Sequence, residues 1–183
     1  MRSIITDRLE LVPATPPSTR AALEGAHALG ANLGAVVPPT WPPEYLDAPA
    51  LEFTLKRLGL GAEQEGWWLY FVLLPLGPAG RTLIGSAGYK GPPADGTVEV
   101  GYGIVSDQRR RGYASEVTRG LIAHAFKQEV VRRVIAETLP QLTPSIGVLE
   151  KCGFAVSGED RAHDAPGGEA VEEWIMRLEA RSS

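Results

Sequence analysis

The chain has little from which to build covalent or metal-based stabilisation. One cysteine, Cys152, occurs in 183 residues, which excludes an internal disulfide framework and a cysteine-cluster metal site. Three histidines, His27, His124 and His163, are scattered without metal-ligand spacing, so no metal is expected. The longest apolar stretch, residues 67–74, falls short of membrane-spanning length, and no membrane partner is expected. Positive charge is not in excess. The net charge is −4, which argues against general nucleic-acid binding because that depends on a strong positive field. The first residues include Arg2, Thr6, Asp7 and Arg8 and lack the apolar segment of a secretory signal, so a cytoplasmic protein is the expectation.

What is present suffices for one sizeable core. Apolar residues make up 44%, as in folded globular chains, and no linker or internal repeat divides the sequence. A single α/β domain over residues 1–183 is expected. Residues 4–13 read as an opening strand, and residues 18–29 as a helix capped by Ser18 or Thr19. Prolines 38, 39, 42, 43 and 49 rule out a long regular element between them. A short helix carrying Leu51, Leu55 and Leu58 follows.

Residues 67–74, 82–90 and 97–105 form a strand meander punctuated by Gly/Pro turns. Residues 114–128 then show an amphipathic helical stripe of Val117, Leu121, Ile122, Ala125 and Phe126. A strand at 130–138, a helix at 144–151 with proline in its first turn, and strands at 154–159 and 170–178 complete the pattern. His124 beside the stripe, and Cys152 before a Gly-Phe corner, read as packing residues.

The strongest local signal lies where the third meander strand meets the long helix. The strand ends at Ile104-Val105, and the basic turn Gln108-Arg109-Arg110-Arg111-Gly112-Tyr113-Ala114-Ser115 leads into the helix. Unpaired N–H groups at a helix start suit a phosphate. The helix dipole contributes only about 0.3–1 kcal/mol, so the arginines would supply more of the attraction. Gly112 lets the backbone approach a ligand, and Ala114 is too small to block it. Alone, the turn could equally be a solvated charge run.

Arg109-x-x-Gly112-x-Ala114 resembles the acetyl-CoA motif of the GNAT acetyltransferase superfamily. Residues 111–116 (RGYASE) and 148–154 (VLEKCGF) resemble its RimJ/RimL-like branch, which acetylates the N-termini of ribosomal proteins. The opening Thr6-Asp7-Arg8-Leu9-Glu10-Leu11 resembles that branch's first strand. The resemblance implies a GNAT fold: a mixed, mostly antiparallel, twisted sheet of about six to seven strands with helices on both faces. It implies acetyl-CoA as co-substrate, its pyrophosphate at Arg109 to Ser115 and its arm along Ile104 and Val105, beside a splayed neighbouring strand. The implied acceptor is a protein N-terminal amine or a small-molecule amine, and a homodimer is left open.

An amine must lose a proton before it can attack a thioester. An α-amino group near pKa 8 is roughly one-tenth neutral at pH 7, and a lysine far less so. Glu137 matches a catalytic glutamate of some ribosomal acetyltransferases, and Glu99 on the adjacent strand is the other candidate base. Ser145 matches a serine the branch keeps at a helix start, placed to bond the leaving sulfur or to cap the helix. Two departures stand out: Leu149 where the superfamily often has a proton-donating tyrosine, and Leu142 where it has an asparagine. They leave a CoA-binding module without catalysis as the alternative function. Trp41, Tyr45, Trp67 and Trp68 are candidates for an acceptor pocket or for the core, and residues 160–168 for a loop shaping acceptor access.

Overall fold

The computed structural model describes residues 2–139, 141–160 and 173–179. Among the described residues eight strands form one sheet: β1 (Ile4–Ile5), β2 (Glu10–Pro13), β3 (Leu69–Pro75), β4 (Arg81–Tyr89), β5 (Thr97–Ile104), β6 (Arg133–Thr138), β7 (Ala155–Asp160) and β8 (Glu173–Glu179). Their spatial order is β1-β2-β3-β4-β5-β6-β8-β7. Every neighbouring pair is antiparallel except β5 and β6. The expected opening strand is a hairpin, which adds a strand to the count. Thr6 turns the chain there, its N–H donating to the Leu9 carbonyl at 3.0 Å while its Oγ1 accepts from Leu9 N at 3.1 Å.

Helices cover both faces, and β3 shows why its sequence is apolar without alternation. Tyr70 and Val72 face a core built with α4 (Tyr113–Ala125) and α5 (Thr143–Lys151). Phe71 and Leu73 face a second core with α2 (Ala26–Leu33) and α3 (Ala48–Leu58). The stripe read on the long helix is the buried one: Val117, Leu121 and Ala125 are fully enclosed. Where β4 passes the start of β3 the backbones almost touch. A Cβ on Gly88 would lie 1.7 Å from the Trp68 carbonyl oxygen.

The first helical region differs from the expected 18–29. It is two helices, α1 (Pro16–Glu24) and α2, separated at Gly25, whose φ of 127° no helix accepts. Neither Ser18 nor Thr19 is the cap. Thr15 caps α1 in a reciprocal box with Ser18, and Pro16 and Pro17 occupy the first turn, where missing N–H groups cost nothing.

Candidate active site

The β5–β6 pairing is short. It runs through three residue pairs, Thr97 with Arg133, Val98 with Val134 and Glu99 with Ile135, and then stops. Beyond that point β5 continues for five residues bonded only to β4, with Val100–Ile104 opposite Gly85–Tyr89, and β6 continues to Thr138 bonded to β8. The two strands therefore part, leaving one edge of β5 with ladder groups that face no strand among the described residues. Buried backbone groups need partners, and an extended arm rich in amides can supply them by adding to the edge.

The free edge leads into the basic turn. Gly112 adopts φ 81°, ψ 2°, and no side chain caps α4 after it. Its first-turn N–H groups are thus left for an external acceptor, with Arg110 and Arg111 exposed beside them. Tyr113 and Ser115 are buried and Ala114 is partly so. Arg109 is committed elsewhere: its Nε donates to the Ile104 carbonyl at 2.9 Å, and its Nη2 lies 3.2 Å from Glu44. It clips the turn to the end of β5 and to the proline-rich segment. Thr40 adds a second tie, its hydroxyl donating to Asp107 at 2.8 Å.

One cation at this turn was not legible in sequence. Arg8, from the β1–β2 hairpin, lies with Cζ 4.6 Å over the Tyr113 ring and donates from Nη1 to the Arg111 carbonyl at 3.1 Å. Glu116 holds it: Oε2 accepts from Arg8 Nε and Nη2 at 2.7 Å, and Oε1 from Arg8 N at 2.8 Å and the Thr6 hydroxyl at 2.6 Å. Burial pushes the Glu116 carboxyl up, but the Thr6 and Arg8 hydrogen bonds outweigh it and hold the pKa below its usual value.

At the vertex of the gap, Glu99 of β5 and Glu137 of β6 converge on Lys90, which follows β4. The Lys90 ammonium pairs with Glu99 and lies 3.6 Å from a Glu137 oxygen. Both carboxylates are largely shielded, at 17% and 16% exposure, while Lys90 is 60% exposed. Glu99 projects from the face of β5 opposite its core residues Val98 and Val100. On that face a Cβ at Gly101 would meet open space, whereas Gly103 sits under Pro43. There is thus room beside the carboxylates for an approaching group.

Ser145, in the first turn of α5, meets Tyr102 of β5: the phenol oxygen lies 3.2 Å from Ser145 Oγ and 3.3 Å from its carbonyl oxygen. Burial pushes the Tyr102 hydroxyl pKa up, against the Ser145 hydrogen bond, with Cys152 adding to the rise. Leu149 is 1% exposed and belongs to the core. Cys152 is half-buried, donating to the Ser115 carbonyl at 3.4 Å, and burial raises its pKa. His124 accompanies the Tyr89 hydroxyl at 3.2 Å, its pKa lowered by burial and by Lys127. Trp41, Trp67 and Trp68 pack against the cores, while Tyr45 is exposed.

The donors fit an elongated ligand with an anionic head and an amide-bearing arm. Among the described residues, no group of three or more His, Cys, Asp or Glu side chains is placed to hold a metal ion, and no helix is long and apolar enough to cross a membrane. The segment 161–168 of the expected access loop lies outside the described residues.

A sequence profile described as the acetyltransferase (GNAT) domain matches residues 8–155. The uncharacterized N-acetyltransferase p20 of Bacillus licheniformis is 28% identical over 97 residues, 52% of this chain and 54% of the relative. The chain's matches span about half the length of its curated relatives. A GNAT-family acetyltransferase from Bacillus anthracis superposes with a TM-score of 0.65 at 22% identity, over 97% of this chain and 98% of that one. RimL, a ribosomal L7/L12 alpha-N-protein acetyltransferase solved with coenzyme A, superposes with a TM-score of 0.68 at 16% identity, over 97% and 98% of the two chains. At these identities the structural likeness is one of fold.

Proposed function

The chain belongs to the GNAT acetyltransferase family, and we propose on that footing that it transfers an acetyl group from acetyl-CoA to a primary amine by direct attack in a ternary complex. The observation that carries this reading is the continuity of the free β5 edge with the uncapped start of α4. Together they offer one surface for an anionic head and an amide-bearing arm. Acetyl-CoA supplies the electrophile, a thioester carbonyl.

The chain's own groups would do the rest. The turn at Arg110 to Ser115 binds the pyrophosphate, with Arg109 and Arg8 bracing it from either side. Glu99 or Glu137 takes the proton of the attacking amine, directly or through a water. Their shared ammonium partner, Lys90, supports a cationic acceptor there, because the space it occupies already suits a protonated amine. Ser145 would donate a hydrogen bond to the leaving sulfur. A protein N-terminal amine is the favoured acceptor: RimL, solved with coenzyme A, acts on one, and the α-amino group ionises in the range a carboxylate can serve.

The test combines calorimetry with CoA and thiol release from acetyl-CoA over a panel of N-terminal peptides, polyamines and small amines. CoA binding with amine-dependent thiol release is expected. Thiol release that no amine accelerates, or a chain that does not bind CoA, refutes the proposal.

A further inference from the structure

We infer that Tyr102 is a positioning residue whose hydroxyl orients Ser145, so that the serine proton steadies the CoA sulfur as it leaves, a role resting on the acetyl-transfer reading above. The helix position where a donor would be expected holds Leu149, which is sealed in the core at 1% exposure. The phenol comes instead from the strand. Tyr102 lies within the stretch of β5 that is bonded to β4 alone, and its hydroxyl reaches the first turn of the helix that follows β6. The Tyr102–Ser145 contact therefore links the two sides of the gap, on the core face of β5 and opposite the face that carries Glu99. Both side chains are only partly buried.

The contact also divides the donors usefully. A tyrosine hydroxyl has one proton and can give it to Ser145 Oγ or to the Ser145 carbonyl, 3.2 and 3.3 Å away. With Oγ accepting from the phenol, the serine proton is left to point into the gap. Burial keeps the phenol protonated, and a thiol near 8.5 is a stronger acid than any such phenol. Tyr102 therefore keeps its proton, and the sulfur departs as thiolate.

The step balances. The amine lone pair forms the N–C bond and the C–S bond breaks, its electrons going to sulfur. The proton lost by nitrogen passes to the carboxylate pair, and the thiolate takes a proton from solvent after release. Donors aimed at developing charge act mostly in the transition state.

The decisive measurement needs no acceptor. Bound CoA is titrated by thiolate ultraviolet absorbance, with desulfo-CoA complexes subtracting the protein's own groups. The bound thiol should titrate about one unit below free CoA, tenfold in acidity. Tyr102→Phe and Ser145→Ala should each return it toward the free value, and the double variant should do no more than either single. In turnover, kcat for Tyr102→Phe should fall roughly tenfold or more with the acetyl-CoA KM nearly unchanged. Tyr102→Phe that binds CoA and leaves the thiol titration as in the parent overturns the assignment. So does a Ser145→Ala variant that binds CoA with an unshifted thiol. A parent that binds CoA with a lowered thiol pKa but acetylates no amine refutes the functional reading instead, while one that does not bind CoA refutes both.

Discussion

Replacing Glu116 by glutamine tests whether the β1–β2 hairpin and the basic turn before α4 are bolted together. Four donors converge on this carboxylate: the Thr6 hydroxyl, the Arg8 N–H, and Arg8 Nε and Nη2. Hydrogen bonds to a charged acceptor contribute about 1.5–3 kcal/mol each, but the Arg8 side chain is 47% exposed, and an exposed ion pair adds only about 0.2–1 kcal/mol. Glutamine keeps one acceptor oxygen and turns an NH2 toward the remaining donors. The net loss is therefore about 3 kcal/mol, or roughly 6–12 °C in Tm for a chain of this size.

The pH dependence carries the sign. The folded-state pKa of Glu116 lies below its usual value, so its stabilisation is complete above the ordinary carboxylate range and is lost as pH falls through the lowered native pKa. Thermal melts of parent and Glu116→Gln should differ widely at neutral pH and converge in acid. CoA affinity should fall as well, because Arg8 no longer braces the Arg111 carbonyl. A variant that melts within about 2 °C of the parent at neutral pH refutes the bolt.

Gly112→Asp places a carboxylate where the pyrophosphate would sit. Asp tolerates a positive φ better than most residues, and the nearest obstacle to a Cβ is Arg8 Nη2 at 3.5 Å, so calorimetry should show CoA affinity down about 100-fold or more in a folded protein. Glu99→Gln and Glu137→Gln should be compared by kcat against pH: loss of the true base lowers kcat about 100-fold or more and flattens the acid limb, and two unchanged profiles would reject both carboxylates. Gly88→Ala forces a methyl 1.7 Å from the Trp68 carbonyl and should cost more than about 4 kcal/mol, read as loss of a cooperative melt.

The basic turn and the helix after it were legible because their signal is local. A basic turn, a glycine and a helical stripe fall within about twenty residues, and their periodicities survive folding. The meander was legible for the same reason, although β3 hides its two-sided burial in a continuous apolar run. Pro16 and Pro17 did mark the start of α1, and reading them as first-turn residues would have found Thr15. The rest depends on distant partners. Arg8 meets Glu116 across 108 positions, and neither residue type announces the other. Tyr102 in an alternating strand reads as core, since only the fold brings it to the first turn of α5. Lys90 was silent at the end of a strand, because nothing local shows that two carboxylates from β5 and β6 will meet it.

The three-residue β5–β6 ladder gives the molecule the mechanics of a book with a short spine. The leaf carrying β6, β8, β7 and α5 shares a core and a few side-chain contacts with the larger leaf, but its backbone ladder to it is only those few rungs. Anything lying along the unpaired edge of β5 replaces the rungs that the spine lacks. Occupancy of the gap would then be felt as stiffening across the whole smaller leaf, far from any atom the occupant touches.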